Sequence, residues 1–135
     1  MTTSLYKRAA QAVFSIALIV VANLSARAGT ADYEFQLVQS EIKQSNVAEI
    51  TVRLIDRRSG KAVPDAVIFA KRVDMAPEGM EMMAAPIEAL PSTEPDVYRF
   101  KANLTMAGGW RLSLGAKIQG ENGTLENKLV FKAVP

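Results

Sequence analysis

The chain contains no cysteine and no histidine. Those two absences remove most of the machinery that small proteins use for chemistry. Zinc sites of the usual kind draw on thiolate or imidazole, nucleophilic triads need a histidine base, and haem and iron–sulfur ligation use the same side chains. No disulfide can staple the fold, so a stable domain must rest on its own apolar core. Aromatic residues make up 7% of the sequence, with a single tryptophan, Trp110. No basic cluster interleaved with aromatics is present, which argues against a nucleic-acid partner. Carboxylates are scattered through turns, with no convincing acid/base pair and no serine beside a base. The sequence therefore predicts a protein that is not an enzyme.

At 135 residues, one domain is expected. Its first 28 residues read as a secretory signal. Lys7 and Arg8 supply a positive start, residues 9–22 are apolar apart from Gln11 and Ser15, and Ala26-Arg27-Ala28 has small residues at both positions an A-x-A cleavage site needs. The expected organisation is a signal helix over residues 1–28 and a folded domain over residues 29–135, located in the periplasm. The alternative is an uncleaved N-terminal anchor, although the apolar stretch is short of the about 20 residues a membrane helix needs. No cysteine follows the apolar stretch, so a lipoprotein anchor is excluded. Cleavage would leave 107 residues with 13 basic and 14 acidic side chains, so the net charge of +2 on the whole chain belongs to the signal. No membrane span is expected after cleavage, and nothing in the pattern specifies an oligomer.

The rest of the chain reads as short strands between turn signals. Tyr33, Phe35 and Leu37 alternate with Glu34 and Gln36; Ile50, Val52 and Leu54 alternate with Thr51 and Arg53. This period of two is that of a half-buried strand. Residues 40–46 read as a polar turn, 56–61 as a charged loop, 66–71 as a strand, 87–90 as a short strand and 91–95 as a turn. Tyr98, Phe100, Ala102 and Leu104 form one stripe; Trp110, Leu112, Leu114, Ala116 and Ile118 form another. Gly120-Glu121-Asn122-Gly123 marks a hairpin turn, and residues 125–134 close the sheet. No helical period is present. About seven strands at this spacing predict an all-β fold, an immunoglobulin-like antiparallel β-sandwich, with a small barrel as the alternative. Tyr98 is expected to be a structural tyrosine whose hydroxyl finds a backbone partner.

Residues 73–86 stand apart. They hold two prolines, one glycine and four methionines: Met75, Met80, Met82 and Met83. Thioether is a soft, neutral ligand suited to Cu(I) and Ag(I), and it forms no disulfide in an oxidising compartment. On an extended segment Met80 and Met82 share a side, Met83 needs a bend to join them, and Met75 approaches from the other limb. Met106 would complete the set if its turn lies beside this loop. Asp74, Glu78 and Glu81 would then lend charge to a cation, or else form a solvated rim. The competing reading is a metal-free, adaptable apolar surface of the kind methionine favours. Trp110 reads as core at the head of its stripe; the alternative places its face over a soft cation.

Three segments in order carry a family resemblance: Lys61-Ala62-Val63-Pro64-Asp65-Ala66-Val67, then the methionine loop and Pro95-Asp96-Val97-Tyr98-Arg99-Phe100, then Met106-Ala107-Gly108-Gly109-Trp110-Arg111-Leu112. Together they resemble the YtkA-like and FixH-like exported β-sandwich domains over residues 33–134. Met80, Met82 and Met83 match the family's methionine loop; Met106 and Trp110 match its Met…Gly-Trp turn. The chain departs from the pattern in lacking the longer anchor of FixH-like proteins and in having Asp96 where a glycine usually precedes the tyrosine strand. The resemblance implies a periplasmic accessory protein that handles Cu(I) or Ag(I). Its implied partners are a heavy-metal efflux adaptor or the assembly proteins of a copper oxidase. The expected metal ligands are Met75, Met80, Met82, Met83 and Met106. The alternative is an envelope protein-interaction module that uses the methionine loop as an apolar contact patch.

Overall fold

The computed structural model describes residues 30–92 and 94–135. The predicted signal helix lies outside the described residues, and among the described residues no helix is long and apolar enough to cross a membrane.

Among the described residues the chain forms nine strands: β1 (Tyr33–Leu37), β2 (Glu41–Lys43), β3 (Ser45–Asp56), β4 (Val67–Met75), β5 (Met80–Ala85), β6 (Ile87–Leu90), β7 (Val97–Leu104), β8 (Gly108–Lys117) and β9 (Leu125–Val134). They form a four-stranded sheet, β1-β3-β7-β6, and a five-stranded sheet, β2-β9-β8-β4-β5. The two sheets enclose one core, so the sandwich expectation holds. Two strands exceed the expected number. β2 lies in the stretch read as a polar turn, where Ile42 alone points inward and is buried; one apolar residue makes no period. β5 lies in the segment read as a loop, because its prolines and glycine mark turns at its ends. Pairing is antiparallel except between β2 and β9, which run parallel.

The core follows the sequence stripes. Ile50, Val52 and Leu54 of β3 are fully buried, as are Leu112 of β8 and Leu104 of β7. Each such side chain contributes about 1.5–3 kcal/mol relative to exposure. Val73, Trp110, Leu114, Phe131 and Ala133 belong to the same core. The ring of Phe35 meets that of Tyr98 edge-on at 6.0 Å.

Tyr98 takes the expected structural role. Its hydroxyl donates to the Val63 carbonyl and accepts from the Ala66 amide, both at 2.9 Å. It thereby pins the loop before β4, where Asp65 adopts φ 62°, the one positive value of a non-glycine among the described residues. Burial pushes the phenol pKa up, consistent with a neutral hydroxyl serving as both donor and acceptor.

Candidate functional site

The methionine segment is a hairpin. β4 runs inward-outward to its end, so Val73 and Met75 face the core while Asp74 faces the outer side of the five-stranded sheet; all three are buried. A single 3-10 turn, Ala76–Glu78, follows, with Pro77 inside it and Gly79 left-handed at φ 73°. β5 then returns along β4 with Val73 opposite Ala85, Asp74 opposite Ala84, and Met75 opposite Met80. One step along β4 is thus matched by four along β5, and residues 81–83 form a bulge on an edge strand. Met83 is the last residue of this bulge.

Three groups hold the hairpin. The Asp74 carboxylate is inaccessible to solvent and accepts from the Ala76 amide (2.9 Å), Arg111 Nη2 (3.1 Å) and Arg72 Nε (3.1 Å). Burial pushes this carboxyl up, but the Ala76 amide and the two guanidinium groups outweigh it, and the net pKa lies below the ordinary carboxylate range. Arg72 also donates from Nη2 to the Glu81 carbonyl at 2.8 Å. One guanidinium therefore ties the bulge to the buried acid. On the far side of the turn, Glu78 Oε1 accepts from the Gly109 amide at 2.8 Å.

The glycine pair before Trp110 makes room for this turn. A Cβ on Gly109 would lie 2.8 Å from Pro77 Cβ and 3.2 Å from Glu78 Oε1. A Cβ on Gly108, at φ 130°, would meet Met75 Cε at 3.4 Å. The Met…Gly-Gly-Trp segment is thus the surface on which the hairpin lands. Trp110 is core: its ring is buried, and its indole N–H donates to the Met106 carbonyl at 3.0 Å. The ring is therefore not free to cap a cation.

The five candidate methionines separate into two groups. Met75 is 1% exposed and belongs to the core. Met80 (37%), Met82 (93%), Met83 (45%) and Met106 (41%) present their side chains to solvent. The contact of Met75 with Gly108 and its pairing with Met80 bring the hairpin to the start of β8, close in sequence to Met106. Of the three acids expected to lend charge, Asp74 is already engaged by Ala76, Arg72 and Arg111, and Glu78 by the Gly109 amide of β8; the Glu81 side chain is exposed. Among the described residues no group of three or more carboxylates is placed to hold a metal ion. Sequence reasoning missed the Asp74–Arg72–Arg111 cluster. A charged residue between Val73 and Met75 in a strand was its one signal.

Among solved structures, a DUF4426 family protein from Pseudomonas aeruginosa PAO1 is similar in fold, with a TM-score of 0.53 at 14% identity over 77% of this chain and 92% of that one. The ZirS C-terminal domain aligns with a TM-score of 0.46 at 13% identity over 87% and 75% of the two chains. A conjugative transposon lipoprotein from Bacteroides eggerthii gives 0.33 at 11% identity over 74% and 96%. No curated protein matches the sequence. The model of the YtkA-like family matches residues 27–115, from before β1 into β8 and across the whole methionine hairpin, and the chain belongs to that family.

Proposed function

We propose that this protein is an exported periplasmic accessory module that offers thioethers to a soft monovalent cation, Cu(I) or Ag(I). It would pass the cation to, or take it from, a heavy-metal efflux system or the assembly proteins of a copper enzyme. The observation that carries this reading is the exposure of Met80, Met82, Met83 and Met106 beside a turn anchored on both flanks. The fold draws Met75 into the core and leaves the other four methionines of the described residues, three of them on one hairpin, open to solvent. The donor set fits the ion: neutral sulfur binds Cu(I) and Ag(I) in preference to hard cations. The catalytic classes excluded by composition leave binding as the chemistry that the exposed side chains support.

A second reading is favoured by the edge position of β5. Among the described residues its outer backbone groups face no strand, and flexible methionines on such an edge suit a protein contact surface. A Cu(I) titration under reducing conditions, competed against a calibrated chelator, separates the two. Wild type is compared with a variant carrying Met→Leu at positions 80, 82, 83 and 106, leaving Met75 in the core. Binding lost in the variant supports the thioether site. Equal or absent binding in both proteins sinks it and leaves the contact-surface reading.

A further inference from the structure

We infer that Met82 is a site of reversible oxidative modification, the first thioether among the described residues that a hydroperoxide converts to the sulfoxide. Three observations carry this. The chain has no cysteine, so no thiol intercepts the oxidant and the methionine thioethers are its most readily oxidised groups. Met82 is 93% exposed while Met75, seven residues earlier, is 1% exposed, and the remaining hairpin and β8-turn methionines fall between. The exposure of Met82 is also built in. It stands at the middle of the three-residue bulge, whose backbone Arg72 ties through the Glu81 carbonyl to the buried Asp74.

The chemistry balances on the two reactants. A sulfur lone pair attacks the terminal oxygen of the hydroperoxide and the O–O bond breaks. An S–O bond forms, and the leaving hydroxide or alkoxide takes the proton carried by the transferred oxygen to become water or an alcohol. Sulfur is oxidised by two electrons and the peroxide is reduced. The two epimers of the sulfoxide are returned to the thioether by their two epimer-specific reductases, each step oxidising a dithiol to a disulfide and releasing the oxygen as water. The edge position leaves room for the reductases, because among the described residues no strand pairs with the outer side of β5. Oxidation replaces an apolar, soft donor with a polar group whose outer atom is a hard oxygen. The loss of soft-metal affinity that follows rests on the proposed function; the modification itself does not.

The test is a time course with limiting hydrogen peroxide at neutral pH on the folded protein, quantified methionine by methionine by peptide mass spectrometry. The same course in concentrated guanidinium is the reference, and a Met82→Leu variant identifies the signal. Met82 is expected to oxidise several-fold faster than Met80, Met83 and Met106, with Met75 slowest. In denaturant the rates should converge, and the two epimer-specific sulfoxide reductases together should restore Met82 without unfolding. A Met82 rate no higher than that of Met80 or Met83 in the folded protein overturns the inference, as does a sulfoxide that the two reductases together cannot remove. An Ag(I) titration before oxidation, after it and after reduction reads the consequence separately. Absence of Ag(I) binding from the start counts against the proposed function, while the order of oxidation still decides this inference.

Discussion

Glu78 Oε1 accepts the Gly109 amide at 2.8 Å, across 31 residues of sequence, and Pro77 lies directly over the same glycine. The methionine hairpin and the glycine pair before Trp110 are therefore one structural unit. A Gly109→Ala change places a methyl group 2.8 Å from Pro77 Cβ, closer than carbon atoms approach. The turn must lift or β8 must shift, at an expected cost of about 1–3 kcal/mol. Glu78→Ala removes one charge-assisted hydrogen bond at an exposed position and should cost less. Urea denaturation of both variants checks the order; a Gly109→Ala protein as stable as wild type would mean that the turn does not rest on β8.

Asp74 should couple stability to acid. It is buried, and its pKa is held below the ordinary value by the Ala76 amide and two guanidinium groups. A carboxylate whose folded pKa is depressed contributes stability that is fully present above its unfolded pKa, about 3.9. That contribution is lost as pH falls below this value and through the folded pKa. Asp74→Asn should therefore be clearly less stable than wild type at pH 7, by roughly 1.5–3 kcal/mol for the loss of hydrogen bonds to a charged group. The gap should narrow once the solution is more acidic than the unfolded pKa. Chemical denaturation at a series of pH values reads this directly. A gap constant down to the acid limit would show that the carboxylate's charge is not what matters.

Tyr98 should act as a loop clamp. Tyr98→Phe keeps the ring against Phe35 but leaves the Val63 carbonyl and the Ala66 amide without their partner. The expected loss is about 1–3 kcal/mol. Hydrogen exchange should accelerate first at Ala66, whose amide loses its acceptor. Uniform acceleration across the sandwich with none specific to that amide would place the tyrosine's role elsewhere.

What the sequence revealed depended on whether a feature was local. The stripes of β7 and β8 were legible because alternation at Tyr98, Phe100, Ala102 and Leu104, and at Trp110, Leu112 and Leu114, is a one-strand property. The hydroxyl of Tyr98 was legible for a related reason, since a buried phenol needs a partner. β2 was not, because three residues carrying one apolar side chain, Ile42, make no pattern, and the parallel partner is some ninety residues away. β5 was hidden by Pro77, Gly79 and Pro86, which mark the turn and the corner rather than a loop between them. The methionines were found as a cluster, but their division into one core side chain and four exposed ones depends on the register of β4 against β5 and β8. The same register makes Asp74 a buried acid and Gly109 a landing site, neither of which composition or spacing could indicate.

That division makes the last prediction sharp, because residues of one type in one hairpin should respond oppositely to the same substitutions. Met75 packs in the core at 1% exposure, so Met75→Ala should cost about 2–5 kcal/mol, whereas Met75→Leu, which nearly conserves volume, should cost less than about 1.5 kcal/mol. Met82 touches little, and Met82→Ala should leave stability within about 0.5 kcal/mol of wild type. For soft-metal binding the ranking inverts. Met82→Leu should weaken Ag(I) binding because sulfur is lost at an accessible position, while Met75→Leu should leave it unchanged because that sulfur has no path to solvent. Denaturation midpoints and Ag(I) titrations of the four variants settle both halves. If Met75→Leu weakened binding as much as Met82→Leu, the hairpin would have to open to bind metal, and the exposed thioethers alone would not be the site.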